Sequence, residues 1–592
     1  MRAVKALLLS ATMIASVVAW PGTAVAEPVE DAVDTFTYSQ NMHPMGYSAR
    51  NVPLANATPG AGLFNSDLVF WGKTAYQGTY EGFRIIDITQ PDNPVELNDY
   101  AECSPGTSAG NQGDVLIWED LLIRSWNSPA TATASCDGDL VGAGFEGLHI
   151  FDVSDPADPD LVGSVPLIGG ATPNLVIVDP PSSAAGTYVA SGAAFGPTPT
   201  EAGLAGAIEL VNDGVSTPPT GTPTDGCESF TLTAGAIALI DRGLCGFTQK
   251  VANAQAAGAG AVIVVNNVAG APITMGGTDA TITIPAVMVS LTDGTTIKAG
   301  LPATGTVARS TTFGCGSHTA TLVPDLANDR LLVYNSASSG DCPGIDIVEV
   351  PLDDPGDATF LRREPSGRSC HDTGVILGDA MLAACAGGNG FTVWSLAGGG
   401  ATLEDPEQLY SKSITGVTIG HSASFTWDGQ VLIFGHEPGG GGQAQCQATS
   451  SEVNRTLFFF EAETGDSLGT FLHPRPQTAT ENCTWHNYNV VPTRKRYVLV
   501  AGNYQSGISV VDFSDPSAAS EVAFADPAPL VNPDNPAAIE LGGDWSTYWY
   551  NGRIYESDIT RGLIIWELSG SATAGAMKLG HLNPQTQEFT IG

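Results

Sequence analysis

A short apolar run recurs seven times along this chain, and the recurrence constrains the fold more than any local feature. Aligned on its first residue, the run reads "GFRIID" at 82, "GLHIFD" at 147, "GIDIVE" at 344, "GFTVWS" at 390, "TLFFFE" at 456, "GISVVD" at 507 and "GLIIWE" at 562. The polar residue that ends each copy stays in register, at Asp87, Asp152, Glu349, Ser395, Glu461, Asp512 and Glu567. Apolar residues on both faces of so short a strand require a sheet covered on both sides, and the Asp-Pro that often follows stops the strand in a turn. Two apolar segments joined by a turn precede each copy, as in "TGVILGDAMLAAC", and a fourth usually follows, as in "PDLVGSVPL". Four short antiparallel strands repeated seven times predict a mainly β chain built as a seven-bladed β-propeller. The seventh unit shows three clear strands before residue 569, so a strand from one terminus, "DTFTYSQNM" or "GHLNPQTQEF", is expected to close it and remove the free sheet edges.

The stretch "GLHIFDVSDPADPDLVG" resembles the LVIVD-type repeat of such propellers, most closely at 82, 147 and 507. Between the second and third copies, about 140 residues break the pattern, far more than an ordinary connection. Within them "YVASGAAFGP", "IALIDRGLCGFTQKVANAQAAGA", "AVIVVNN" and "TIPAVMVS" resemble, in order, pieces of the protease-associated (PA) domain of secreted peptidases. The expected layout is propeller blades 1 and 2 in 27–171, an inserted α/β PA domain in 172–311 and blades 3 to 7 in 312–592. In that family the module binds or gates protein and peptide ligands and carries no catalytic residues, so the resemblance implies contact with a partner rather than chemistry.

Residues 1–26 read as a signal peptide: Arg2 and Lys5, then "ALLLSATMIASVVAW", then "AVA" before Glu27. The chain is therefore expected to be secreted, with no membrane anchor. A formal charge of −39 disfavours nucleic acid and anionic membranes as partners. Ten cysteines in an exported chain point to disulfides. Outside the module they fall in or beside the connections on one face of the propeller, which favours sequential pairs: Cys103 with Cys136, Cys315 with Cys342, Cys370 with Cys385, and Cys446 with Cys483. Within the module Cys227 is expected to pair with Cys245.

Four of the nine histidines occupy equivalent places at the start of consecutive innermost strands: His318, His371, His421 and His486. Asn65, Gln112 and Trp545 hold that position in the other blades. Innermost strands line a propeller's channel, so these side chains should form an arc at its mouth, where imidazoles could converge on a divalent transition metal. The next position offers Asp372, Ser422 and Asn487 to orient the rings. A second reading also stands, in which each histidine serves only to bond the next blade's carbonyl, a device that repeats reuse. Asp-rich turns such as "DVSDPADPD" read as capped turns rather than calcium loops.

No peptidase motif is present. His436-Glu437 lacks the second histidine of a zincin helix, and "GHSASF" lacks the setting of a nucleophile elbow. Two functions follow: a scaffold that holds a protein, peptide or glycan on one propeller face and the module, with no catalytic residue of its own, or a metal-dependent oxidoreductase or hydrolase at the channel mouth. The module's tethers, near 171 and 312, lead to the expectation that it covers the histidine face as a lid.

Overall fold

The structure is a computed structural model that describes residues 28–592 except 51–63, 105–110, 132, 143, 168–173, 201, 216–220, 269–271, 274, 310–315, 338–342, 495 and 534. The expected signal peptide lies outside the described residues, as do both tethers of the module and the Cys315 and Cys342 pair.

Seven four-stranded antiparallel sheets form the blades of a propeller. The innermost strands are Asn65–Trp71, Val115–Trp118, Thr319–Asp325, Asp372–Ile376, Gly420–Phe425, Asn487–Val490 and Asp544–Tyr550. Each recurring run is the third strand of its blade, and its five leading residues are almost all buried because neighbouring blades cover both faces. The polar residue that ends it caps the turn: Asp87, Asp152 and Asp512 each accept the amide N–H two residues on, at 2.7, 2.8 and 3.0 Å.

Blade 7 is closed by Met42–Ala49, antiparallel to Gly562–Leu568. The closing strand thus starts where the expected "DTFTYSQNM" segment ends. Thr37–Tyr38 extends blade 6 instead, beside Ala525 and Asp526. Pro44 and Gly46 disguise the closing strand in sequence, yet both suit it. Proline is tolerated on an outermost strand, where its missing N–H faces no partner, and Pro44 adjoins a bulge. At Gly46 a Cβ would lie 2.0 Å from the Pro91 carbonyl oxygen.

The other candidate, "GHLNPQTQEF", runs around the far end of the channel. Met577 N–H donates to Pro492 of blade 6, and Leu579 exchanges hydrogen bonds with the Asn551 side chain of blade 7. His581–Leu582 pairs with Phe70 and Trp71 of blade 1, and the Asn583 amide satisfies both backbone groups of Ile117 in blade 2 at 2.9 Å. Thr586 reaches Leu322 of blade 3, Thr586–Gln587 pairs with Val375 and Ile376 of blade 4, and Gln587 reaches Phe425 of blade 5. With Met577 and Leu579 just before it, the segment therefore bonds all seven inner strands or their immediate continuations.

The inserted residues form a separate mixed sheet of seven strands, from Asn174–Val178 to Ala303–Arg309. Leu204–Leu210, Ile237–Asp241, Ala261–Val265 and Ala286–Val289 run parallel, and two helices follow strands of this set, Phe247–Ala256 and Leu291–Ala299. The first helix packs through Val251 and Ala254, both fully buried. Lys250 is buried beside them and donates to the Asp225 carbonyl at 2.5 Å. Disulfides join Cys103–Cys136, Cys227–Cys245, Cys370–Cys385 and Cys446–Cys483, each between sequential cysteines.

Candidate functional site

Each of the four histidines stands at the start of an inner strand, so the pleat aims them at one end of the channel. Their rings form a continuous file: the centroids of His318 and His371 are 4.5 Å apart, those of His371 and His421 4.0 Å, and those of His421 and His486 4.2 Å. The rings line a narrow cavity with Gln112, Trp545, Asp114, Asp372 and Gln585.

Protein acceptors fix Nδ1 in three of the rings. His318 Nδ1 contacts Asn127 Oδ1 at 3.0 Å, His421 Nδ1 the His486 carbonyl at 3.1 Å and Ser422 Oγ at 2.7 Å, and His486 Nδ1 the Trp545 carbonyl. In a neutral imidazole a proton on Nδ1 leaves a lone pair on Nε2. His318 Nε2 meets His371 Nε2 at 3.0 Å, and His371 Nδ1 is buried with no hydrogen-bond partner among the described residues. Burial disfavours the charged form of all four rings: it pushes His318 down to about 4, His486 to about 3, and His371 and His421 well below the usual imidazole range.

Two groups outside the repeat register complete the site. Glu437 follows the second strand of blade 5, Val431–His436, and its Oε2 lies 4.0 Å from His421 Nε2. Tyr504 stands in the corresponding loop of blade 6, with its hydroxyl 2.8 Å from Glu437 Oε1 and 2.9 Å from His486 Nε2. Its φ of +51° lies in the left-handed region, a strained conformation for a tyrosine, held by two 3.0 Å hydrogen bonds with the Asp544 backbone. Gly441 makes room, since a Cβ there would lie 2.7 Å from the Tyr504 hydroxyl and 2.8 Å from Glu437 Oε1. Burial pushes the Glu437 carboxyl up to about 7, against the hydrogen bond from Tyr504. A ring nitrogen each of His371 and His421 and a Glu437 oxygen lie within 4.8 Å of one another.

The remaining expected residues fall in distinct places. Ser422 orients His421 and donates to the His486 carbonyl, Asn487 contacts Ser422 Oγ through its Oδ1 at 3.2 Å, and Asp372 lies in the cavity wall with a buried Oδ1 lacking a partner among the described residues. Asn65 is bonded through its amide to the carbonyls of Arg50, Asp558 and Ile559, away from the rings. Sequence reasoning passed over Glu437 and Tyr504. The one available signal for Glu437 was its place directly after an inner hairpin, next to His436.

A second feature lies on the module. Leu244, Val268, Ile273 and Leu291 are 44, 57, 43 and 37 % exposed. Leu244 and Leu291 follow the C-terminal ends of strands Ile237–Asp241 and Ala286–Val289, and Val268 and Ile273 follow that of Ala261–Val265. These three strands are neighbours in the parallel part of the sheet.

Family models match an LVIVD repeat at residues 141–166 and a PA domain at residues 198–297. No curated protein matches the chain. Among solved structures it is similar to the zinc aminopeptidase BSAP from Bacillus subtilis, at 27 % identity over 23 % of this chain and 30 % of that one, with a TM-score of 0.18. An aminopeptidase from Aneurinibacillus sp. strain AM-1 is 26 % identical over 24 and 31 %, with a TM-score of 0.17. Kuenenia stuttgartiensis hydrazine synthase is 13 % identical over 44 and 67 %, with a TM-score of 0.28. The chain spans about a third of the length of these two aminopeptidases.

Proposed function

We propose that this LVIVD-repeat propeller with its PA domain is a secreted binding scaffold, not itself a protease, and that the PA domain holds a protein or peptide partner. The exposed aliphatic edge of the module carries the reading. Large aliphatic side chains scattered singly need no explanation, but Leu244, Val268, Ile273 and Leu291 share one end of adjacent strands, and open α/β sheets take ligands beyond the carboxyl ends of their strands. Aliphatic side chains suit a peptide better than the hydroxyls of a glycan. Arg242 stands at the same edge, bonded to Asn266 at 2.8 Å, and offers a cation to a peptide carboxylate. The four disulfides fit an oxidising compartment. The alternative, a metal-dependent oxidoreductase or hydrolase, draws its support from the convergence of His371, His421 and Glu437.

Selection of phage-displayed random peptides on the full chain tests the scaffold reading. The wild type should enrich a common apolar motif, and the Leu244→Asp, Val268→Asp double variant should lose it. Equal enrichment by the variant, or none by the wild type, defeats the reading.

A further inference from the structure

We propose that the channel mouth is a binding site for one divalent transition-metal ion, with His371, His421 and Glu437 as its core ligands and His318 as the adjoining fourth. The proposal is independent of the peptide-binding reading, which concerns the module.

The first argument counts protons. His486 Nδ1 bonds the Trp545 carbonyl, so His486 Nε2 has no hydrogen of its own. Tyr504 has a single hydroxyl proton for two acceptors, His486 Nε2 and Glu437 Oε1. His421 Nδ1 bonds the His486 carbonyl, which leaves Nε2 as a bare lone pair 4.0 Å from a carboxylate oxygen. The contact between the two Nε2 atoms of His318 and His371 holds one more proton, which an ion bound by both nitrogens would displace to His371 Nδ1, an atom with no partner among the described residues. Buried polar atoms are normally satisfied, and a cluster with more lone pairs than protons is suited to accept a cation.

The second argument is metric. Two ligand atoms held by one ion at about 2.1 Å lie roughly 3.0 Å apart at a right angle and about 4.2 Å apart when opposite. The His318 to His371 separation of 3.0 Å and the His421 to Glu437 separation of 4.0 Å both fall within that window. The chemistry of the donors is also selective. Imidazole nitrogens with one carboxylate suit zinc, iron or copper, whereas calcium and magnesium prefer oxygen alone. Two of the three proposed histidine ligands are set as ligands usually are, with Nδ1–H of His318 and His421 given to a protein oxygen. Bonding to the next blade's carbonyl, the purely structural role, explains Nδ1 of His421 and His486 and leaves His421 Nε2 and His371 Nδ1 unexplained.

Equilibrium dialysis of the untagged, chelator-stripped full chain against Zn²⁺ tests the site, with Co²⁺ added separately to read ligand geometry from its visible absorption. One Zn²⁺ per chain is expected, and Co²⁺ should show d–d bands of a nitrogen-containing site. Glu437→Gln keeps the side chain's shape and its contact with Tyr504, and should weaken Zn²⁺ binding by about tenfold or more. His421→Ala should weaken it further, while the exposed His43→Ala should leave it unchanged. Thermal unfolding in chelator establishes that each variant is folded. If His421→Ala fails to fold, Glu437→Gln alone decides. A proton on Glu437 would relieve the same excess of acceptors, so a wild-type chain that binds less than about one-tenth of an equivalent overturns the proposal, as does binding that Glu437→Gln leaves intact.

Discussion

The two ends of the propeller channel are built from the same inner strands and treat their polar groups in opposite ways. At the far end the C-terminal segment bonds most of what it touches: Asn583 satisfies both backbone groups of Ile117, and Thr586 and Gln587 each reach a strand carbonyl, while Gln585 Oε1 alone of its side-chain atoms is buried without a partner among the described residues. At the near end four imidazoles, a carboxyl group and a phenol crowd together with lone pairs left over. A seal is stable when its hydrogen bonds are complete, because each unpaired buried group costs about 1–3 kcal/mol. A site for a cation keeps acceptors in reserve. The contrast distinguishes a closure from a candidate site within one fold.

The largest expected effect tests the sealed end. Removing residues 577–592 withdraws hydrogen bonds from every blade and should lower stability by upward of about 5 kcal/mol, at roughly 1 kcal/mol per bond. Urea unfolding followed by tryptophan fluorescence measures it, and a change under about 1 kcal/mol would mean that the inner strands close without the segment. A single residue refines the same point. Asn583→Ala leaves an N–H and a carbonyl of Ile117 without their partner and should cost about 2–3 kcal/mol. His371→Ala in chelator, at the other end, removes a ring whose Nδ1 has no partner and should cost markedly less. Comparable losses would erase the difference between the ends.

His149 shows what burial alone does to a histidine. It lies in the core of blade 2, stacked on Phe145 with centroids 4.9 Å apart, and burial together with nearby Arg124 pushes it down to about 3. A folded pKa below the unfolded value gives stability that is complete above about pH 6.5 and is lost as the pH falls toward the folded pKa. His149→Phe should therefore gain on the wild type by about 2 kcal/mol between pH 7 and pH 5, read from urea midpoints at the two values. The smallest effect is expected for exchange of residues 172–311 for a short Gly-Ser bridge, since the module's apolar clusters contain no propeller residue. Propeller unfolding should shift by less than about 1 kcal/mol. Loss of the propeller on that exchange would show that the module supports the mouth.

The parts legible in the sequence are those the repeat writes more than once. The recurring runs, six of them led by glycine, disclose seven third strands, and the same register places His318, His371, His421 and His486 side by side. Sequential cysteines pair because each flanks a connection between neighbouring strands. What escaped is what occurs once. Glu437 and Tyr504 come from loops of different length in blades 5 and 6, and the left-handed backbone of Tyr504 has no sequence signature in a non-glycine residue. Pro44 and Gly46 hid the closing strand, and the polar "NPQTQ" shows no period because its side chains bond the ends of separate strands rather than a core. Asn65 shares the histidines' register yet serves the joint with blade 7, which shows that register fixes position and not role.

X-ray absorption at the zinc edge of the untagged chain, loaded with one equivalent of Zn²⁺, tests the central claim most directly. Nitrogen and oxygen neighbours at about 2.0–2.1 Å, with the outer scattering of at least two imidazole rings that is lost in His371→Ala, His421→Ala, are predicted. A zinc shell without imidazole scattering, or one unchanged in the double variant, would contradict it.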